Sequence, residues 1–268
     1  MAAAELHVQR EGNGEPLLLL HGLGSDLCVW DPVMPALTER YSVVALDLPG
    51  FGHSEPLPDG LVPTPAALAA TIGQWMLAND VPTAHLAGNS LGGWIALELA
   101  LLGRGRSVTG ICPAGLWPAP LQAEPATIGR AQQLARAARP LTPMLMANAH
   151  IRRTVLSPFV AHPERVPYRA AWRMVESYAR ASAYAATSSA MRASAFSRLG
   201  DVPVPVVLAF GERDQLIRPV RVRHAGVRTV LLDDCGHVPM WDAPELVVRT
   251  IASAIENSSE EPARAISG

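Results

Sequence analysis

Short apolar runs recur along the chain, each ending in glycine or a polar residue: "ELHVQ", "EPLLLLHG", "YSVVALDLPG", "TAHLAGN", "SVTGICP", "VPVVLAFGE" and "RTVLLDDCGH". Helical patterns separate most of them. Continuous apolar strands in such an alternation are buried on both faces, the mark of a parallel sheet with helices on both sides. The first two runs are joined only by "REGNG". That link is too short for a helical crossover, so the two are expected to pair antiparallel. The fold class is therefore α/β, a mostly parallel sheet with an antiparallel edge.

Two of the helices are plain. "TPAALAATIGQWMLAND" sets Leu68, Ile72, Trp75 and Met76 on one face and ends at Asn79 to Pro82, and "APELVVRTIASAIENSS" does the same with Leu246, Val247, Ile251 and Ile255. Both are expected to pack on the sheet. Between residues 117 and 197 the alternation breaks into proline-punctuated segments rich in alanine and arginine, with no buried-strand run. This stretch reads as a cap of short helices inserted between two strands. The core then comprises residues 1–116 and 198–258, and residues 259–268, without an apolar face, are expected to form a flexible tail.

At 268 residues and 49% hydrophobic content, the chain can bury a large single core. Its 22 basic and 24 acidic residues leave a net charge of -2. That balance gives no electrostatic reason to expect nucleic acid or a membrane as partner, so a small-molecule substrate is the default. The N-terminal segment lacks the pattern of a signal peptide and no apolar run reaches membrane-spanning length, so a cytoplasmic protein, monomer or homodimer, is expected. The cysteines Cys28, Cys112 and Cys235 have neither zinc-site nor disulfide spacing. They read as buried free thiols, with Cys235 packing beside His237, and neither metal nor cofactor is expected.

Chemistry concentrates in "GNSLG", residues 88–92, which fits the G-x-S-x-G pattern of a nucleophile elbow. Such an elbow turns a strand sharply into a helix and lifts the serine hydroxyl to the tip. The positions two before and two after the serine must be small, a demand met by Gly88 and Gly92, while Gly93 lets the helix lie close to the sheet. Four further segments end strands: "HGLG" with His21 to Gly24, "DLPGFGHS" with Asp47, "GERD" with Asp214 and "GHVP" with His237. The order Ser90, Asp214, His237 is the one this type of elbow uses.

In this combined set the chain resembles the α/β-hydrolase family, from about Glu5 to Ile255 and most thinly in the cap. The resemblance implies the α/β-hydrolase fold, with Ser90 as nucleophile, His237 as base and Asp214 as the acid that orients it. It also implies that Leu23 and Leu91 supply backbone N–H groups to an oxyanion hole. The residue types suit these roles. A serine hydroxyl is a poor nucleophile until a base takes its proton, and an acid fixes the tautomer of that base. Each oxyanion donor is worth about 3 to 4 kcal/mol in comparable sites.

Other polar residues have plainer readings. His21 is expected to be structural, His53 and His85 to lie at the surface or in turns, and Asp47 to stabilise a loop. Glu212, Asp233 and Asp234 compete with Asp214 for the acid role. In the cap, Trp172, Val175 and Tyr178 share a helical face that serves either packing or a substrate wall. Arg152, Arg153 and Arg173 read as solvated, although an inward arginine would bind a carboxylate. Gly22, Trp117, Met144, Met146, Trp172 and Val238 are the candidate pocket residues.

A serine at position 90 removes the haloalkane dehalogenase and epoxide hydrolase branches, which need a carboxylate there. "HGLGSDLCVWDPVMPALTERY" looks most like the enol-lactonases, whereas Asn89 in "GNSLGG" looks like the carbon–carbon bond hydrolases. The sequence reading is a serine esterase cleaving a carboxylic ester or lactone of a small to medium apolar substrate through an acyl-serine. The alternatives are a carbon–carbon bond hydrolase of ring meta-cleavage products and, in a different class, a hydrolase-fold ligand receptor that turns over slowly or not at all.

Overall fold

The computed structural model describes residues 5–121, 126–220, 222 and 224–260. Among them, seven strands form one sheet: β1 (Val8–Glu11), β2 (Glu15–Leu20), β3 (Tyr41–Leu46), β4 (Ala84–Asn89), β5 (Gly105–Ile111), β6 (Val206–Gly211) and β7 (Val227–Leu232). Their order is β1-β3-β2-β4-β5-β6-β7. All neighbours are parallel except β1, which runs antiparallel to β3 with Val8 opposite Leu46.

The antiparallel edge is present, but the first two runs do not pair with each other as expected. β2 has no free edge, because β3 and β4 flank it. The link from β1 to β2 instead steps across the start of β3. Gly12 and Gly14 take positive φ there, 80° and 127°, and a Cβ on Gly12 would lie 2.3 Å from the Tyr41 carbonyl oxygen. Only glycine allows that approach.

The helices are α1 (Met34–Thr38), α2 (Pro65–Ala78), α3 (Leu91–Leu101), α4 (Ala126–Ala138), α5 (Thr142–Ala147), α6 (Ala149–Leu156), α7 (Tyr168–Arg180), α8 (Tyr184–Arg192) and α9 (Pro244–Glu260). α2 begins where Thr64 Oγ1 accepts the Ala67 N–H, with Pro65 at its first position, a favourable start because proline lacks only a donor that would go unused. It buries Leu68, Ile72, Trp75 and Met76, while α9 buries Val247, Ile251 and Ile255. α9 continues through Glu260, two residues into the expected tail, whose residues 261–268 lie outside the described ones. Among the described residues, no helix is long and apolar enough to cross a membrane.

Helices α4 to α8 all fall between β5 and β6. This insertion touches the loops at the carboxyl ends of the strands. A Cβ on Gly24 would meet the Tyr178 and Tyr184 rings at 2.9 and 3.1 Å, and one on Gly50 would meet Ala183 Cβ at 2.4 Å. Ser177 Oγ donates to the Asp26 carboxylate, and Arg173 pairs with Asp31. The carboxyl edge of the sheet, where ligands bind in open α/β folds, is thus the edge the insertion covers.

Candidate active site

β4 delivers its last residue, Asn89, into a turn at Ser90 with φ 55° and ψ −116°, and α3 begins at the next residue. Such a conformation costs a non-glycine residue on the order of 1–3 kcal/mol. The surroundings over-determine it. Ser90 N–H donates to the Ile111 carbonyl at 2.9 Å, and Ser90 O accepts from Gly93 N–H and Ala114 N–H, both at 3.0 Å. A Cβ at Gly88 would lie 2.1 Å from Gly92 O, and one at Gly92 would lie 2.1 Å from Leu20 O. Both contacts are with backbone and cannot yield. The Leu91 N–H, in the first turn of α3, has no partner within the helix, and the helix dipole adds positive potential at that end.

The loop after β2 lies directly against this turn, since a Cβ on Gly22 would be 3.2 Å from Ser90 Cβ and 3.3 Å from Asn89 Oδ1. His21 fixes that loop as expected. Its Nδ1–H donates to Gly22 O at 2.8 Å and its Nε2 accepts the Leu48 N–H at 2.9 Å. Complete burial lowers its pKa, so the ring is neutral, as those two bonds require. Asp47 ties three segments together by accepting the Leu27 and His53 N–H groups and the His7 ring nitrogen.

Asp214 follows β6, His237 follows β7, and the structure brings them together: His237 Nδ1 lies 2.8 Å from Asp214 Oδ2, with side chains 7% and 0% exposed. The other carboxylate oxygen accepts the N–H groups of Leu216 at 2.7 Å and Ile217 at 3.0 Å. Burial works to raise the Asp214 pKa. The hydrogen bond and charge of His237 and the two backbone donors outweigh it and hold the carboxyl below its ordinary range. An ionised Asp214 accepts a hydrogen bond from Nδ1–H, which keeps the proton on that nitrogen and leaves the Nε2 lone pair as an acceptor.

Cys112 sits behind this pair. Its sulfur accepts the Gly211 N–H at 3.3 Å, and its donor atom, with those of Asp214 and His237, falls in a group within 4.8 Å of one another. That proximity does not make them a metal site. Burial and the charge of Asp214 push the thiol well above its usual range, so it stays protonated, while the carboxylate and ring are committed to each other. Cys235 is buried and Cys28 partly so. Burial first, and then the charges of Asp242 and Asp26 respectively, raise both thiols to about 12.

Several sequence expectations are redrawn. His85 is not at the surface: β4 is buried along its whole length, and His85 Nδ1 pairs with Ser107 Oγ at 2.9 Å. Arg152 is half-buried, its Nη1 donating to Met146 O at 2.7 Å, whereas Arg153 and Arg173 are exposed as expected, Arg173 in an ion pair with Asp31. Glu212 accepts the Asp234 N–H, Asp234 pairs with His162 and Arg213, and Asp233 is exposed, so none of the three meets His237 as Asp214 does.

Of the pocket candidates, Gly22 touches Ser90, and Val238 follows the base candidate in sequence. Trp117 is half-buried, donates its indole N–H to Ser194 O at 2.7 Å and meets the Trp94 ring edge-on. Met146 is buried in an apolar cluster that also holds Val238, Ala170 and Ala171. Met144, however, is 66% exposed. Trp172 lines an open groove of about 460 Å³ with Arg136, Arg139, Pro140, Pro143 and Glu176, away from Ser90, Asp214 and His237. Both face solvent because the inner face of the insertion is filled by Met146, Ala170, Ala171 and Ser177.

Two residues gain a place that sequence reasoning had not assigned. Asn89 is buried, and its amide donates to Ile111 O at 3.2 Å and His237 O at 2.9 Å. Asp242 is also buried, and its carboxylate accepts three backbone N–H groups. A carboxylate five residues beyond the histidine in an otherwise apolar "VPMWD" was the available signal for the latter.

Comparison with known proteins agrees with this architecture. A model of the Alpha/beta hydrolase family matches residues 17–250, and the chain belongs to that family. It is 36% identical over 186 residues to Epoxide hydrolase EphH of Mycobacterium tuberculosis, covering 65% of this chain and 86% of the relative. It is 30% identical over 273 residues to a Pimeloyl-[acyl-carrier protein] methyl ester esterase of Methylococcus capsulatus, covering 94% of this chain and 99% of the relative. The solved enol-lactonase from Burkholderia xenovorans LB400 superposes with a TM-score of 0.74 at 22% identity, covering 95% and 99% of the two chains, a likeness of fold. The chain is a hydrolase by family, an enzyme of the α/β-hydrolase fold.

Proposed function

We propose that this enzyme is a serine hydrolase that cleaves a carboxylic ester or lactone of a small to medium apolar substrate through an acyl-serine intermediate, with residues 117–197 as its cap. The observation that carries the reading is the buried His237–Asp214 pair, 2.8 Å apart, in the same fold as a serine held at φ 55° on a strand-to-helix elbow. His237 Nε2 takes the Ser90 proton as Oγ attacks the carbonyl carbon. The negative charge that develops on the carbonyl oxygen is received by the N–H groups of Leu23 and Leu91. The leaving oxygen departs with the proton from His237, and a water then repeats the sequence on the acyl-serine, releasing the acid and restoring Ser90. Asp214 stays ionised throughout and stabilises the imidazolium.

The relative named as an epoxide hydrolase does not redirect this reading, since ester formation from an enzyme carboxylate needs an acid where this chain has Ser90. Nor does Asn89 favour a carbon–carbon hydrolase, because its amide hydrogens are engaged by two backbone carbonyls. The test is a panel of p-nitrophenyl and methyl esters, lactones, ring-cleavage products and an epoxide, assayed on the wild type and Ser90→Ala. Esters or lactones should turn over only with Ser90 present. Turnover confined to the epoxide or to the ring-cleavage product would replace the reading.

A further inference from the structure

The loop that carries His237 is gripped on three consecutive residues from three directions. Gly236 N–H donates to Asp242 Oδ2 at 2.8 Å, His237 O accepts from Asn89 at 2.9 Å, and Val238 N–H donates to Phe159 O at 2.9 Å. The same Asp242 carboxylate reaches into the cap, where Oδ2 accepts the Ala161 N–H at 3.0 Å and Oδ1 accepts the His162 N–H at 2.8 Å. Arg165 of the cap donates to the Asp242 carbonyl at 2.9 Å. One buried carboxylate, unused by the proton relay, therefore gathers two backbone donors from the cap and one from the base loop.

The two segments meet backbone to backbone. A Cβ on Gly236 would lie 2.8 Å from Ala161 N and 2.9 Å from Phe159 O, so no side chain separates them. If the carboxylate were removed, three N–H groups would lose their acceptor at this seam, and a buried donor left unpaired carries its full desolvation penalty. The cheapest relief is for the cap segment to part from the loop and admit water. The loop would then lose its bonds to the cap segment at Gly236 and Val238 and keep those to the core, from Asn89 to His237 O, from Arg213 N–H to Cys235 O and between His237 and Asp214.

We propose that Asp242 is a positioning residue that clasps the cap to the His237 loop, so that seating the cap and aiming the base are one event. The proposal rests on the assignment of His237 as the base. Asp242 touches neither substrate nor the reacting atoms and acts through Gly236 and the cap backbone.

The test uses Asp242→Ala and Asp242→Asn in the full chain, with two readouts. Hydrogen exchange should rise together in peptides spanning residues 157–166 and 233–241. At a temperature where each variant retains native near-UV circular dichroism, kcat on the p-nitrophenyl ester should fall about 10- to 100-fold with KM changed less than about threefold, the size expected from misaiming a catalytic group. Asp242→Asn keeps one acceptor oxygen and should fall between wild type and alanine; it carries the test if the alanine variant does not fold. Exchange rising in the cap peptide alone, or a lower melting temperature with unchanged kcat, would overturn the clasp. Exchange reads the coupling without reference to chemistry, so a Ser90→Ala enzyme that still turned over would overturn the serine reading and leave the clasp to be judged on exchange.

Discussion

The sheet and the helical insertion between β5 and β6 are built on different terms. In the sheet, β4 and β6 are buried along their whole length and β2 from Leu17 to Leu20, and each ends in a loop that holds a residue of the candidate site. Those residues meet at one edge of the sheet, because parallel strands deliver their carboxyl ends there. The insertion has no such rule. Its position is set by contacts between residues far apart in sequence: Ser177 with Asp26, Arg173 with Asp31, and Ala161 and His162 with Asp242. The sheet can therefore be read locally, whereas the insertion requires the fold.

That contrast can be broken first at the acid. Asp214→Asn should leave the fold intact but lower kcat by about 10³- to 10⁴-fold, because the amide favours the wrong tautomer of His237; steady-state kinetics with circular dichroism checks both halves. A small loss would mean that another acid serves the histidine.

The elbow comes next. Gly92→Ala places a methyl 2.1 Å from Leu20 O. It should destabilise the protein by more than about 3 kcal/mol, beyond ordinary overpacking because the obstacle is backbone. Thermal melts or soluble yield measure it, and a near-native melting temperature would show that the turn is looser than described.

Asp214 also makes a smaller contribution that depends on pH. Its carboxyl is held below the ordinary range in the fold, so the stability it adds is complete above the unfolded value of about 3.9 and is lost as pH falls through the lower folded value. The stability difference between wild type and Asp214→Asn should persist through neutrality and be lost only below about pH 4. A difference that vanished between pH 6 and 7, on the order of two units higher, would contradict that origin.

The smallest effects are expected on the outer face of the insertion. Arg173→Ala breaks a half-exposed ion pair worth at most about 1 kcal/mol, visible as a slight fall in melting temperature. Met144→Ser should leave kcat/KM within about twofold of wild type, since exposed positions away from structural features are near neutral. A large loss of activity from Met144→Ser would return that residue to the substrate pocket.

What was legible in the sequence follows the same division. The parallel sheet, α2, α9, the elbow glycines and the order Ser90, Asp214, His237 were readable because each rests on periodicity or on a short motif with a steric cause. The partner of β1 was not, because pairing depends on which strand has a free edge. The burial of His85 was missed because a lone histidine in an apolar run carries no mark of whether a Ser107 awaits it across the strand. Met144 and Trp172 were assigned inward on residue type, when the inner face had already been filled by Met146, Ala170 and Ala171. Asn89 was legible as unusual, but its bond to the His237 carbonyl spans 148 positions of chain.

The central claim is that Ser90 becomes acylated. Intact-protein and peptide mass spectrometry after a fluorophosphonate, and after rapid quenching with a p-nitrophenyl ester, reads it directly. The wild type should gain a single adduct on the peptide that contains Ser90, and Ser90→Ala should gain none and release no p-nitrophenol above background. An adduct elsewhere, or undiminished turnover by Ser90→Ala, would contradict the account.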